Sequence, residues 1–267
     1  MSPLGIQKGR RLAYRVDLRD GATIKVREYE NEDAARSAFE LNAALGRVFA
    51  GALARYGRVV VEEWIEGAPL APDDEHRTIE EAGEILGRLH ASFPQSSSGR
   101  VGTGRWRREA VVDLDLLLQA GCVQRDDADR LLGIVDETDP GEACTTVIHL
   151  DFCAENMVRD GGGALRVVDN ELLCIGPRGL DLGRTFHRWP FAAANWSGFL
   201  AGYLLHAGDP GAAPFWRIVA ALLGARVFLQ RCPERLPTAI EHLQSLARED
   251  RTASSRPMFN PLDTGGR

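Results

Sequence analysis

Residues 147–171 constrain this chain more than any other stretch. The apolar pair Val147-Ile148 leads into His149-Leu150-Asp151, and Asn156 follows five residues after the aspartate. Met157-Val158 comes next, then the turn residues Asp160-Gly161-Gly162-Gly163, then a second apolar run from Leu165 to Val168 that ends on Asp169. Asp-Gly and Gly-Gly between two apolar runs mark a β-hairpin, because glycine reaches the positive-φ conformations of a tight turn without a Cβ clash. A hairpin brings its open ends together, so Asn156 and Asp169 are expected side by side at its base, with Asp151 one short loop away. Two carboxylates and one amide oxygen in a single corner suit a hard cation such as Mg²⁺ that also carries substrate phosphates. Taken singly, Asp151 reads equally as a turn residue, Asn156 as a local cap and His149 as a satisfied interior histidine. Three polar residues at the convergent ends of apolar strands call for a joint explanation.

His149-x-Asp151-x-x-x-x-Asn156, followed by Asp169-Asn170-Glu171 and Gly179-Leu180-Asp181-Leu182-Gly183-Arg184, resembles the aminoglycoside phosphotransferase and choline-kinase-like family of small-molecule kinases. That resemblance implies an α+β, bilobal protein-kinase-like fold, with a small antiparallel sheet and one helix in the N-lobe and a larger, mainly helical C-lobe. It implies that Asp151 is the catalytic base, that Asn156 and Asp169 hold Mg²⁺, and that Asp181 braces the catalytic loop. Leu150 stands where the family usually has glycine, and Cys153 where it often has a polar residue, so the acceptor side of the loop departs from the pattern.

Bulk properties bound the alternatives. The 267 residues allow one large domain or two lobes, and a hydrophobic content of 44% supplies a sizeable core. No run approaches the ~18 apolar residues expected of a membrane span. Met1 to Arg11 is polar and basic without an apolar segment, so no signal peptide is expected. Cys122, Cys144, Cys153, Cys174 and Cys232 are scattered and form no Cys-x-x-Cys pair, which points to reduced thiols in a cytoplasmic protein. A net charge of −6 without a basic, aromatic-interleaved patch argues against nucleic-acid binding and is compatible with a cationic substrate.

Of 32 Lys and Arg residues, only Lys8 and Lys25 are lysine. A lysine retained against that background is informative, because it presents a compact point charge where arginine presents a planar fork. Leu12 to Leu18 and Ala22 to Arg27 alternate around Asp20-Gly21 and read as a hairpin. The resemblance makes Ile24-Lys25-Val26 the third N-lobe strand, with Lys25 on the nucleotide phosphates. Asn31 to Ala50 reads as a helix, with Asn31 as N-cap and an apolar face at residues 35, 38, 39, 41, 45 and 49. Glu40 on that helix is the expected ion-pair partner of Lys25, with Glu32 as the alternative. Gly5 to Arg11 is the only candidate for a phosphate-covering loop, and equally reads as a frayed terminus. Arg58 to Leu70 reads as a buried strand leaving through a turn and resembles the inter-lobe connection, placing backbone contacts to the adenine near Glu63 and Ile65. These assignments divide the chain into an N-lobe at 1–66, a C-lobe at 67–250 and a loose tail at 251–267.

In the C-lobe, helices are expected at about 80–92, 109–120, 126–137, 180–188, 195–207, 212–231 and 235–248, with a mobile loop at 94–104. His90 is taken as structural. Twelve residues separate Asp169 from Asp181, too few for the long activation segment with which a protein kinase presents a polypeptide. Candidate acceptor walls are Trp189, Phe191, Trp196, Trp216, Asp209 and Glu234, the aromatics among them equally explicable as core. The resemblance implies transfer of the γ-phosphoryl of ATP or GTP to a hydroxyl. The acceptor expected first is an antibiotic, such as an aminoglycoside or basic peptide antibiotic, with resistance or self-protection as the outcome. A metabolic kinase for an amino alcohol, sugar or homoserine, and a nucleotide-binding pseudokinase, are the alternatives.

Overall fold

The computed structural model describes residues 2–3, 12–71, 74–92, 99–189, 193–209 and 213–248. The expected phosphate loop at 5–11, the tail at 251–267 and Phe191 lie outside the described residues.

The chain opens with an antiparallel sheet built from β1 (Ser2–Pro3), β2 (Leu12–Asp17), β3 (Thr23–Glu28), β4 (Ala52–Tyr56) and β5 (Val59–Glu63), in the order β1-β2-β3-β5-β4. The β2–β3 turn contains Gly21 at φ 87°, a conformation that glycine adopts without strain. Helix α1 (Glu32–Ala43) packs on the sheet through Ala35 and Ala38, and the Asn31 side chain accepts the Ala34 N–H at 2.8 Å to cap it. The expectation of a helix reaching Ala50 is corrected: α1 stops at Ala43. Leu45 and Phe49 continue the apolar periodicity but leave the helix to pack against the main core. This 44–51 loop docks directly on the hairpin, with Ala50 N–H donating to Val167 O at 2.8 Å and Val167 N–H to Val48 O at 2.7 Å.

After residue 66 the chain enters β6 (Gly67–Pro69), which pairs with the predicted hairpin to give a three-stranded sheet. Helix α2 (His76–Ser92) follows, then β7 (Arg100–Gly102), α3 (Gly104–Gln119) and α4 (Arg125–Thr138). The part of 94–104 read as loop therefore includes a strand and the start of α3, five residues ahead of the expected helix. Strand β8 (Glu142–Ile148) carries the chain into the loop at 149–153; β9 (Met157–Asp160) and β10 (Leu165–Val167) form the hairpin; and β11 (Cys174–Pro177) returns alongside β8. Helices α5 (Arg178–Arg188), α6 (Ala193–Leu204), α7 (Ala213–Arg231) and α8 (Leu236–Arg248) complete the chain.

Two large cores hold the helical part together. One joins the hairpin to α2 and α6 through Phe152, Met157, Val167, Leu86, Phe199 and Tyr203. Gly83 and Gly87 make the α2–α6 approach possible, since a Cβ at either would collide with the α6 backbone at Phe199 or Tyr203. The second core surrounds α7 with α3, α4 and α8. The expectation that no segment approaches a membrane span is corrected: helix α7 is long and apolar enough to cross a membrane by length and composition. Phe215, Trp216, Ile218, Ala221 and Leu222 are nonetheless buried against neighbouring helices. Trp216 and Trp189, both offered as acceptor walls, are likewise core residues, whereas Trp196 is only partly buried and Asp209 and Glu234 are exposed.

Candidate active site

The loop that carries His149, Leu150 and Asp151 hangs from one buried carboxylate. Asp181, near the start of α5, accepts the N–H of His149 at 2.7 Å and the N–H of Leu150 at 2.6 Å, so two consecutive amides are fixed by one side chain. Burial alone would raise the Asp181 pKa; the His90 hydrogen bond, at 3.0 Å, and the His149 amide outweigh it and hold the carboxyl below its usual range. His90 is held in turn by the Tyr203 hydroxyl at 2.9 Å. Both residues are thus braces, and His90 has the structural role expected of it.

Leu150 has φ 62°, an outlier for a bulky residue that carries a strain of about 1–3 kcal/mol. The family's usual glycine would adopt this conformation freely. Here Leu150 is held in it by Asp181 on its N–H and by Arg184, whose Nε donates to Leu150 O at 3.1 Å. Partial packing of the Leu150 side chain against the second core adds to the restraint.

Asp151 and Asn156 meet as the spacing predicts. Asn156 Nδ2 donates to the Asp151 backbone carbonyl at 2.8 Å and to its Oδ2 at 3.0 Å, which leaves Asn156 Oδ1 as the acceptor turned elsewhere. The Asn156 carbonyl also accepts the Val168 N–H at 2.8 Å, tying the loop to the residue before Asp169. Asp169 sits at φ 63°, a left-handed position that aspartate tolerates better than most residues. His149 is fully buried and is 3.2 Å from Asn170 Oδ1 through Nε2, while Asn170 Nδ2 donates to Ala50 O at 3.0 Å. The loop at 149–153, the residue after Asp169 and the 44–51 loop are therefore one connected unit.

Lys25 reaches this corner from the other side of the cleft. Its Nζ lies 2.9 Å from Asp169 Oδ1 and 3.7 Å from Glu62 Oε2. Lys25 and Glu62 are directly paired across β3 and β5, so the sheet itself presents the carboxylate to the amine. The expected ion pair with Glu40 is corrected: Glu40 is on the exposed face of α1, as is the alternative Glu32. Helical spacing pointed to a carboxylate on α1, but the helix turns that face to solvent and the partner comes from β5 instead.

The largest omission from the sequence reading is Arg27. Two residues beyond Lys25 on the same face of β3, its guanidinium contacts Asp169 and Glu171 and lies 3.4 Å from Glu62 through Nε. Its side chain is only 3% exposed. Burial alone would raise the Asp169 pKa, yet Lys25 and Arg27 hold the carboxyl far below the usual carboxylate range. The signal was available in Ile24-Lys25-Val26-Arg27: alternate residues of a strand share a face, so a phosphate-facing Lys25 brings Arg27 with it.

Glu63 and Ile65 lie where β5 gives way to the connection. The Glu63 N–H donates to Gly51 O at 2.8 Å, and its carboxylate pairs with Arg166 at 2.8 Å. Its N–H is therefore committed to the residue before β4. Ile65 is partly buried.

The oxygens that could serve a divalent cation here are Asn156 Oδ1 and the Asp169 carboxylate, whose two cationic partners both approach Oδ1. No group of three or more His, Cys, Asp or Glu residues forms a metal cluster among the described residues. Two hard oxygen donors fit Mg²⁺, which completes its shell with water and substrate phosphates, better than a metal that needs an all-protein cage.

On the opposite side of Asp151 stands Arg188, in the last turn of α5. Its Nε is 3.2 Å from Asp151 Oδ1, and Nη2 is 3.4 Å from Glu155 Oε2 and 3.8 Å from Cys153 Sγ. Sequence reasoning missed it; a basic residue seven positions beyond Asp181 has no local signature.

A sequence profile of the phosphotransferase enzyme family matches residues 13–221. Comparison with curated protein sequences finds no match. Among solved structures, a choline kinase from Cryptosporidium parvum Iowa II superposes with a TM-score of 0.69 at 14% identity, covering 97% of this chain and 93% of the other. A macrolide 2'-phosphotransferase from Brachybacterium faecium gives 0.61 at 15% identity, covering 93% and 92%. A spectinomycin phosphotransferase in complex with ADP and spectinomycin gives 0.56 at 10% identity, covering 91% and 90%.

Proposed function

The chain belongs to the phosphotransferase enzyme family and is a small-molecule kinase; from that premise we propose that it moves the γ-phosphoryl of ATP or GTP onto a hydroxyl of a small acceptor. The observation that carries this reading is the convergence on one corner of Asp151, Asn156, Asp169 and Lys25, the last two 2.9 Å apart although 144 residues separate them in sequence. Asp151 orients the acceptor hydroxyl and takes its proton as the oxygen attacks the γ-phosphorus. The bond from that phosphorus to the β,γ-bridging oxygen breaks, and ADP or GDP leaves with the electron pair. Lys25 neutralises phosphate charge, with Glu62 fixing its position. Arg27 holds Asp169 and Glu171 in place from β3. Asn156 and Asp169 are the residues that would hold Mg²⁺, which when bound shields the phosphate charge. The backbone near Glu63 and Ile65 meets the nucleobase edge. A loose transition state asks the protein mainly for positioning and charge, the two things these residues supply.

The acceptor is a hydroxylated small molecule. An antibiotic, modified for resistance or self-protection, is supported by the likeness to macrolide and spectinomycin phosphotransferases; a metabolic amino alcohol, sugar or homoserine is supported by the likeness to choline kinase. Five free cysteines suit a reducing, cytoplasmic setting. The test is ADP release with Mg·ATP against a panel of antibiotics, amino alcohols and sugars, beside calorimetric titration of Mg·ATP. Saturable nucleotide binding with acceptor-dependent ADP release is expected. A protein that fails to bind Mg·ATP contradicts the reading and leaves the pseudokinase alternative.

A further inference from the structure

The two oxygens of Asp151 face different neighbours. Oδ2 accepts from Asn156, on the side of Asp169 and Lys25, while Oδ1 faces Arg188, on the side of the 152–155 loop. Arg188 therefore stands across the base from the nucleotide and metal, where the acceptor must enter. Two features of this arginine are unusual. It lies between Asp151 and Glu155, the place a substrate ammonium would take if the acceptor were an amine. Its hydrogen-bonding capacity is also poorly used: contacts of 3.2, 3.4 and 3.8 Å compare with about 2.7–2.9 Å for a good guanidinium–oxyanion bond. Nε is buried without a well-formed hydrogen bond, on a side chain only 16% exposed. Arg184, one helical turn earlier, adds a second guanidinium against the same loop, at Leu150 O.

We infer that Arg188 is the specificity-determining residue of the acceptor site, taking an oxyanion, carboxylate or phosphate, that the acceptor carries beside its reacting hydroxyl. The chain supplies the cation itself, so a second cation brought by the acceptor meets a like charge and finds its carboxylates already engaged. An oxyanion instead gives the guanidinium the planar, two-bond partner that Glu155 and Cys153 do not. Choline-like and polycationic acceptors are disfavoured on this account. The inference rests on the kinase reading above and narrows its acceptor.

Calorimetry on the full chain loaded with Mg·ADP tests it, using as probes 3-phosphoglycerate, glycerate, glycerol, choline and kanamycin. The phosphate or carboxylate probe is expected to bind the wild type at least tenfold more tightly than glycerol, choline or kanamycin. Arg188→Ala should erase that preference and Arg188→Lys should keep part of it, with Mg·ADP affinity unchanged within twofold in both. Both probes carry the carboxylate, so tighter binding of 3-phosphoglycerate than of glycerate identifies a phosphate contact, and equal or weaker binding a contact to the carboxylate alone. Choline or kanamycin binding more tightly than the oxyanion probes overturns the inference, as does equal probe binding by wild type and Arg188→Ala. Loss of Mg·ADP binding by the wild type would instead count against the kinase reading itself.

Discussion

The two sides of Asp151 are built differently. On the nucleotide side, Lys25, Arg27, Glu62, Asp169 and Glu171 interlock across β3, β5 and the end of the hairpin, and Arg27 and Glu62 are almost wholly buried. On the other side, Arg188 makes only long contacts, one of them to a Glu155 side chain that is 67% exposed. The difference follows from what each side meets. In the proposed reaction a triphosphate and its metal would be the same in every turnover, so fixed charges placed in advance would need no reorganisation. An acceptor differs from one kinase to another, and a loosely satisfied cation can exchange partners.

Arg27→Met should separate the two sides most sharply. It leaves Glu62, Asp169 and Glu171 sharing Lys25 alone, and breaking a buried charge network typically loses about 3–5 kcal/mol, or roughly 10 °C in Tm for a chain of this size. Thermal unfolding checks this; a shift under about 2 °C would mean that the network contributes little. Next in size, Glu62→Gln should raise the KM for Mg·ATP about tenfold, because it removes the buried carboxylate charge that lies 3.7 Å from Lys25 and 3.4 Å from Arg27 and leaves both cations without that counter-charge. Glu40→Gln should leave the same KM within twofold. Steady-state kinetics that reverse this order would restore the helix carboxylate to the role the sequence suggested.

A smaller effect belongs to the α5–α7–α8 region behind Arg188. Burial, with His242, Arg184 and Arg188 adding positive charge, pushes the His187 pKa down to about 3. A depressed folded-state value means that the unfolded chain takes up the proton first, so stability present above about pH 6.5 is lost as the pH falls toward 3. His187→Gln should flatten the fall in Tm between pH 7.5 and 5, and an unchanged slope would place that proton uptake elsewhere. Smallest of all, Glu155→Gln should shift Tm by no more than about 2 °C, since exposed ion pairs contribute about 0–1 kcal/mol.

How much was legible in the sequence follows the same division. The hairpin and the meeting of Asp151 with Asn156 were readable because short-range spacing dictates them: a turn fixes which residues lie at its base; the bracing Asp181 was legible only through the family resemblance. The C-lobe helices followed from periodicity, and the α+β architecture from the family resemblance. Where α1 ends did not, because Leu45 and Phe49 keep a helical rhythm while packing into a different core. Glu62 was missed for a related reason, whereas Arg27 was readable from the alternation of β3. Which carboxylate reaches Lys25 depends on how α1 is rotated and on the β3–β5 register, and neither is set by local sequence. Arg188 was less accessible still, since the loop it faces lies more than thirty residues away. The overall charge of −6 made a cationic acceptor reasonable, but the acceptor meets the charge at the base, where Arg184 and Arg188 stand.

The central claim is that Asp151 performs the acceptor half of the transfer from a site whose nucleotide half is assembled without it. It is tested most directly by comparing Asp151→Ala with the wild type in two assays on the same preparation, acceptor-dependent ADP release and calorimetric Mg·ATP binding. The account predicts turnover reduced by at least about 10³-fold, toward the upper range of what general acid–base groups contribute, with nucleotide affinity within threefold of wild type. A variant that keeps more than a tenth of wild-type turnover, or that loses nucleotide binding together with turnover, would contradict it.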